Sequence, residues 1–146
     1  MKILSVLLLS ILISSASQGW LTDFDSAKKI AKEKHQFILL NFSGSDWCGT
    51  CIRLHKEIFK SEAFIQFADS NLVLVNADFP RYKKNKLKTL QLKKNEALAA
   101  KYNPKGVFPY TLLLNEDGEV IKIWNGYPNM TPDNFIEQIK AKIDAN

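Results

Sequence analysis

The sequence predicts a three-layer α/β domain in which a central mixed sheet is flanked by helices. Two nearly continuous apolar runs, 37–42 and 71–79, are typical of strands buried on both faces, and segments of helical apolar spacing flank them. These two strands are joined through a helix and should pair in parallel. Two further runs, 110–115 and 119–124, surround a short Glu-Asp-Gly turn and predict an antiparallel hairpin at one edge of the sheet.

The first half of the chain predicts three helices around the first two strands. The first helix has a capping residue, Thr22 or Asp23, and an apolar face formed by Phe24, Ala27, Ile30 and Ala31. The strand at 37–42 ends in the turn composition Ser-Gly-Ser-Asp. A second helix follows from Gly49, and Ser61 is the expected cap of a short third helix.

The second half predicts two more helices around the hairpin. A helix over 95–103 is ended by Asn103 and Pro104. The last helix has Thr131 at its cap and Pro132 at the first helical position, where a missing N–H costs nothing.

The N-terminal 17 residues differ from the rest in composition. Lys2 precedes an apolar run from Ile3 to Ile13 that only serines interrupt, and the small residues Ser15 and Ser17 follow. We interpret 1–17 as a secretory signal peptide, with an uncleaved anchor as the alternative, although the run is shorter than the roughly 20 residues of a membrane span. Residues 18–146, close to the usual single-domain size, should then form one exported domain, periplasmic or secreted, where thiols are oxidised by default.

The formal net charge of +5 is concentrated in one segment, 81–94. Its cationic residues, with no acid among them, are Arg81, Lys83, Lys84, Lys86, Lys88, Lys93 and Lys94. The favoured interpretation is a solvated, extended loop, and the alternative is a docking patch for an acidic partner or a membrane surface. A nucleic-acid partner is not expected, because only Tyr82 supplies an aromatic side chain within the segment.

The only two cysteines, Cys48 and Cys51, stand at the expected start of the second helix, with Gly49 and Thr50 between them. Unpaired backbone N–H groups and the helix dipole stabilise a thiolate at such a position. A residue three positions later lies on the same face, one turn further on. The spacing predicts that Cys48 attacks a substrate disulfide and that Cys51 resolves the mixed disulfide.

The cysteine pair has two other interpretations. A CxxC is also half of a zinc site, but there is no second CxxC, and only His35 and His55 remain as nitrogen ligands. Because His55 follows Cys51 by four residues, a Cys-Cys-His set is the metal-binding alternative. A purely structural disulfide is the other alternative, although closing so small a loop restrains the unfolded chain little.

The stretches NFSGSDWCGTC and GVFPYTLLLNEDGEV resemble the thioredoxin fold. They are most similar to exported bacterial thioredoxin-like proteins with a Ser-Asp-Trp-Cys approach to the CxxC, and the resemblance covers essentially all of 18–146. It implies thiol-disulfide oxidoreductase activity, with Cys48 as the attacking and Cys51 as the resolving cysteine. Trp47 matches the tryptophan that shields the site. Pro109 matches the cis-proline that faces the two sulfurs and helps to hold an extended substrate backbone, and cis peptide bonds are almost confined to proline.

Three departures from the family pattern limit this transfer. Asn41 stands where many thioredoxins carry a buried aspartate that takes a proton from the resolving cysteine, and an amide is not a carboxylate base. His55 is the alternative proton acceptor on spacing alone, with a surface histidine as the plainer interpretation. Gly49-Thr50 replaces Gly-Pro and leaves the direction of electron flow open. Phe108 is bulky and either narrows the substrate groove or packs in the core.

These observations predict an exported thiol-disulfide oxidoreductase that works by dithiol-disulfide exchange, without an organic cofactor or metal. The Trp-Cys-Gly-x-Cys pattern resembles reducing members more than strongly oxidising ones, so the expected substrates are disulfides in other exported proteins. A reductase in an oxidising compartment implies a membrane-embedded reductase as electron donor. We expect a monomer. The alternatives are a disulfide oxidase or isomerase, or a non-enzymatic binding module that uses the CxxC as a metal or partner ligand.

Overall fold

The computed structural model describes residues 19–146, so the predicted signal peptide at 1–17 lies outside the described residues. This part of the chain contains five α-helices and four strands. Their order is α1 (Phe24–Lys34), β1 (Phe37–Ser43), α2 (Gly49–Leu54), α3 (Glu62–Asn71), β2 (Leu72–Asp78), α4 (Thr89–Tyr102), β3 (Tyr110–Leu114), β4 (Val120–Asn125) and α5 (Pro132–Ile143). The π-helical turn His55–Phe59 directly continues α2, and the 3₁₀ turn Lys83–Asn85 precedes α4.

The four strands form one mixed sheet in the order β2-β1-β3-β4. β1 pairs in parallel with β2 and antiparallel with β3, and β4 pairs antiparallel with β3 at the edge. The parallel pair and the edge hairpin were both predicted, and both are confirmed. The loop before α1 covers the other edge, where Leu21 forms an isolated parallel bridge with Val75 of β2.

Each face of the sheet carries its own hydrophobic core, because successive side chains of a strand point to opposite faces. Leu39 of β1 packs with residues of α2, α3 and α5, including Leu54, Phe64 and Phe135. Ile38 and Leu40 pack with α1 and α4 on the opposite face. The predicted three-layer architecture is therefore confirmed, and α2 lies on the same face as Leu39.

The helix starts follow the predicted capping chemistry. Asp23 accepts a hydrogen bond from the Ser26 N–H at the start of α1. Ser61 caps α3, and Thr131 caps α5 with Pro132 at its first turn. Each cap satisfies an N–H group that has no partner within its helix.

Two local expectations were wrong. The basic segment 81–94 is not an extended loop throughout, because α4 begins at Thr89 and includes Lys93 and Lys94. The helix predicted over 95–103 therefore starts six residues earlier. The chain after Leu54 makes a π turn, in which the Lys60 N–H bonds to the His55 carbonyl, rather than continuing as an α-helix.

No helix within 19–146 is long and apolar enough to cross a membrane.

Candidate active site

The two cysteines meet at the start of α2, where they form a disulfide. Cys48 is the N-cap residue, and its sulfur accepts a hydrogen bond from the Cys51 N–H at 3.3 Å. The Thr50 hydroxyl lies 3.6 Å from the same sulfur. The exposed fractions of Cys48 and Cys51 are 6% and 5%, so exposure does not distinguish them. Position does, because only the Cys48 sulfur stands at the helix terminus and receives a backbone N–H.

Asp78, the last residue of β2, holds the turn that leads from β1 to the cysteines. Its carboxylate accepts hydrogen bonds from the Ser45 N–H at 2.9 Å and from the Ser45 hydroxyl. It also accepts from the Phe79 N–H and the Ser43 hydroxyl. The start of this turn is thus fixed to the neighbouring parallel strand.

Asp46, in the same turn, accepts hydrogen bonds from the basic segment that follows β2. Its carboxylate accepts the Arg81 and Tyr82 N–H groups at 2.9 and 3.0 Å and the Asn85 amide at 2.9 Å. Partial desolvation acts to raise the pKa of Asp46, but these hydrogen bonds together outweigh it and lower the pKa below its usual value. Asp46 therefore stays ionised and joins the approach to Cys48 to the segment after β2.

Trp47, directly before Cys48, packs against the chain that follows β2. Its indole N–H donates to the Phe79 carbonyl at 2.6 Å, and the Arg81 guanidinium carbon lies 3.6 Å from its ring centroid. The Phe108 ring meets the indole edge-on at 5.5 Å. A Cβ on Gly44 would collide with the indole, so the ring lies directly on this glycine. Phe108 therefore packs against Trp47, the residue directly before Cys48.

The peptide bond between Phe108 and Pro109 is cis. Pro109 is buried, and β3 begins at the next residue, Tyr110, which pairs with Phe42 near the end of β1. The Pro109 carbonyl accepts the Gly126 N–H at 3.0 Å, which ties it to the loop after β4. The cis bond thus lies at the same end of the sheet as the turn that carries Cys48.

The loop after β4 also contacts the helix that carries the cysteines. The Tyr127 hydroxyl donates to the Glu57 carboxylate, and the Arg53 guanidinium bonds to that carboxylate and lies 4.4 Å from the Tyr127 ring centroid. The hydrogen bond from Tyr127 lowers the pKa of Glu57 most, and the hydrogen bond from Arg53 lowers it further. The same bond raises the pKa of Tyr127.

Asn41 is buried and belongs to a row of polar side chains that crosses three strands. Its carbonyl oxygen accepts the Thr111 hydroxyl at 2.9 Å, and its amide donates to the Asn76 carbonyl oxygen at 3.0 Å. The Ser43 hydroxyl bonds to Asn76 and continues the row to Asp78. Asn41 therefore uses both ends of its amide within the sheet.

His55 stands at the start of the π turn, and its ring contacts Phe59 at a centroid distance of 6.5 Å. It also lines a cleft with Trp20. Burial, followed by the charge of Lys60, lowers the pKa of His55. No hydrogen bond joins His55 to either cysteine within 19–146, and this part of the chain contains no group of three or more His, Cys, Asp or Glu side chains arranged to hold a metal. The Cys-Cys-His set considered from spacing is not assembled.

The structure adds four residues to the site that sequence patterns did not single out: Gly44, Asp46, Asp78 and Arg81. Gly44 contacts Trp47, three residues away. The other three make contacts between segments more than 30 residues apart, as with the Asp46 bonds to 81–85. Local periodicity does not contain such pairings. The one usable signal was the position of Asp46 and Gly44 in the short turn before Trp47.

A family model described as a thioredoxin-like domain matches residues 24–143, so the chain belongs to the thioredoxin-like family. Among curated proteins it is similar to the disulfide bond reductase DsbH of Chlamydia pneumoniae, with 36% identity over 73% of this chain and 62% of the relative. The thioredoxin-related protein DsbJ of Chlamydia pneumoniae is 29% identical over 100% of this chain and 44% of the relative. The chain thus spans less than two thirds of the length of either relative.

Solved structures give the same fold. A structure described as DsbH oxidoreductase superposes with a TM-score of 0.78 and 29% identity, covering 97% of this chain and 95% of the other. The predicted thioredoxin fold is confirmed. The fold, the CxxC pair and these relatives are consistent with the predicted class of thiol-disulfide oxidoreductases.

Proposed function

We propose that this protein is a protein-disulfide reductase that works by dithiol-disulfide exchange at Cys48 and Cys51. The observation that carries the proposal is the N-cap position of Cys48, whose sulfur receives the Cys51 N–H at 3.3 Å. A hydrogen bond from a backbone N–H and the positive end of the helix dipole both favour a thiolate over a thiol. The pairing partner needed for the second step is the adjacent Cys51 sulfur.

In the proposed reaction the reduced protein gives two electrons to a substrate disulfide. The Cys48 thiolate attacks one substrate sulfur, so a mixed disulfide forms while the substrate S–S bond breaks, and the leaving thiolate takes a proton from solvent. Cys51 then loses its proton and attacks the Cys48 sulfur. The Cys48–Cys51 bond forms, the mixed disulfide breaks, and the second substrate thiol leaves.

Four neighbouring residues support these steps. Trp47, which contacts Gly44 and the Arg81 guanidinium, is assigned to shield the cysteine pair, as in the family. Gly49 and Thr50 are exposed between the cysteines, so a substrate can approach the disulfide over them. Pro109, after its cis bond, is assigned to hold an extended substrate backbone, as in the family.

The acceptor of the Cys51 proton stays a prediction. Asn41 supplies no carboxylate, and both ends of its amide are engaged. His55 is the proposed acceptor on sequence spacing, and burial, followed by the charge of Lys60, lowers its pKa, which keeps its imidazole neutral near neutral pH and makes it a weaker base. The transfer would need a bridging water, because no direct hydrogen bond joins His55 to a cysteine among the described residues.

We further propose export through residues 1–17 and action on disulfides of other exported proteins, as a monomer. The name of the relative DsbH, a disulfide bond reductase, supports the reducing direction. Each turnover leaves the Cys48–Cys51 disulfide, so a dithiol donor must restore the thiols. A membrane-embedded reductase is the class of partner that can carry electrons into an oxidising compartment.

Single-cysteine variants test the reaction and the order of the two cysteines. The reduced protein is mixed with a synthetic peptide that contains one internal disulfide, and the products are separated by mass spectrometry. We expect the wild type to reduce the peptide and lose two protons in mass, and Cys51→Ser to accumulate a mixed disulfide through Cys48. The matched variant Cys48→Ser should form no such adduct. An adduct on Cys51 in Cys48→Ser, or an unreduced peptide with the wild type, would contradict the proposal.

A further inference from the structure

The basic segment, residues 81–94, begins beside the candidate active site, where Arg81 lies over Trp47. Six of its seven cationic side chains form no ion pair within the described part of the chain, and Lys94 alone is paired, with Asp23 at 2.8 Å. All seven are exposed. The segment therefore carries positive charge that no neighbouring acid side chain pairs with.

Asp46 fixes the start of this segment without pairing with its cations. The carboxylate is occupied by the N–H groups of Arg81 and Tyr82 and by the Asn85 amide. The Arg81 guanidinium lies over Trp47, the residue directly before Cys48. The backbone at the start of the segment is thus held close to Trp47, and no ion pair within the described part of the chain is made by Lys83, Lys84, Lys86, Lys88 and Lys93.

A small apolar cleft opens within the same segment. Its apolar lining comes from Pro80, Leu87 and Leu92, and its rim carries Arg81, Lys83 and Lys86 together with Tyr82. The Tyr82 side chain is 54% exposed. A concave apolar floor with a cationic rim fits one apolar side chain of a peptide whose neighbouring residues are acidic.

We propose that this surface, formed by residues 80–87 and Leu92, binds an acidic extended segment of the substrate protein next to the disulfide to be reduced. The inference rests on the proposed reductase function and names its substrate class. Complementary charge raises encounter rates by about 10 to 1000-fold when the charges surround the reacting site. Because Arg81 contacts Trp47, a segment bound here delivers its neighbouring disulfide to Cys48. A protein segment fits the concave cleft, whereas an anionic lipid surface would contact only its rim.

Two peptides with the same internal disulfide test this inference. One peptide carries flanking glutamates and the other flanking lysines, and their reduction by the reduced protein is followed by stopped-flow fluorescence. At low ionic strength we expect the acidic peptide to react about tenfold faster or more. The ratio should approach one in about 1 M salt, where charges are screened within about 3 Å.

Charge-reversed variants locate the effect. Lys83→Glu/Lys86→Glu should lose the preference for the acidic peptide. The matched variant Lys29→Glu/Lys142→Glu changes the net charge equally and should keep it. Lys142 lies in the last turn of α5, and the chain end beyond it lines a cleft with Phe37, at the opposite end of β1 from the cysteines.

Each other outcome contradicts the inference in a distinguishable way. Equal rates for the two peptides, or an unchanged preference in Lys83→Glu/Lys86→Glu, would remove the docking surface but leave the reductase function intact. If neither peptide is reduced, the proposed function fails and the inference fails with it. Equal peptide rates combined with binding to phosphatidylglycerol vesicles, lost in Lys83→Glu/Lys86→Glu, would assign the surface to a membrane instead.

Discussion

Gly44 is the position at which the packing of Trp47 can be tested most sharply. An alanine Cβ at this position would stand 2.5 Å from the indole Cζ2 and Nε1 atoms and closer still to Cε2. Normal contacts between such atoms are about 3.5 to 4.0 Å, so the rigid ring would have to move by more than about 1 to 1.5 Å. Gly44→Ala should therefore displace Trp47, the side chain that we propose shields the cysteine pair.

The size of the effect follows from the contacts that the indole would lose. They are the hydrogen bond to Phe79, worth about 0.5–1.5 kcal/mol, and the Arg81 stacking, worth about 0.5–1 kcal/mol at an exposed site. The edge contact with Phe108 contributes about 0.5–1.5 kcal/mol. Overpacking generally costs about 1–3 kcal/mol. These ranges describe one displacement and are not summed, so we expect a loss of about 2–3 kcal/mol in the free energy of unfolding.

The assay is denaturant unfolding of the oxidised protein, followed by circular dichroism so that the signal does not depend on Trp47. In a thermal unfolding experiment the same loss in free energy would lower Tm by about 3–5 °C per kcal/mol for a domain of this size. Gly49→Ala is the matched control, because its added Cβ meets no atom within 4 Å. It should be neutral or stabilise the helix by up to about 1 kcal/mol. A Gly44→Ala protein within about 0.5 kcal/mol of the wild type would refute the packing argument.

Three further substitutions probe ionisable groups. The hydrogen bond from Lys94 is the main reason that the pKa of Asp23 falls from 3.8 to about 2. Asp23→Asn keeps a capping side chain but not the carboxylate. The variant should therefore be less stable than the wild type above pH 3.8, and this difference in stability should vanish toward pH 2 in acid unfolding. If His55 takes the Cys51 proton, resolution of the mixed disulfide should speed up as pH rises through its lowered pKa, and His55→Gln should remove that rise; an unchanged pH profile removes His55 from the mechanism. Asn41→Asp places a carboxyl in a buried row, where burial raises its pKa, so it should destabilise by about 1–3 kcal/mol at neutral pH and progressively less as pH falls toward 4; a pH-independent loss would contradict this.

The layer architecture could be predicted because each strand and most helices carry their own local signal. β1 and β2 are nearly continuous apolar runs, and most residues of both strands are buried, although β2 is an edge strand that the Leu21 bridge covers. The start of α4 lacked such a signal. Leu90 in its first turn is 69% exposed, and Lys88 at its N-cap makes no side-chain hydrogen bond. A helix with neither an apolar face nor a cap at its start reads as a solvated loop.

The π turn was also beyond reach of the sequence pattern. It places Ile58 and Phe59, adjacent in sequence, in the same core. Helical spacing of apolar residues does not distinguish a turn that is one residue wider when both neighbours are apolar. His55 itself keeps the α-helical spacing from Cys51, because its backbone N–H bonds to the Cys51 carbonyl, and the change of register follows it.

The cysteine pair could be located from the sequence, whereas the residues that hold its surroundings could not. The position of Cys48 at a helix start follows from the local pattern of turn residues and apolar spacing. The bonds of Asp46 and Asp78 join the turn after β1 to the chain around the end of β2. These bonds can form because β1 and β2 pair in parallel, which brings the C-terminal ends of both strands to the same end of the sheet.

The reduction potential of the Cys48–Cys51 pair tests the central claim most directly. The protein, without residues 1–17, is equilibrated in thiol redox buffers, and the oxidised fraction is followed through the fluorescence of the adjacent Trp47. A reductase of the proposed kind should have a potential near the roughly −270 mV of thioredoxin. A potential near about −120 mV would reverse the direction of electron flow, and the absence of a reversible couple would contradict the oxidoreductase function itself.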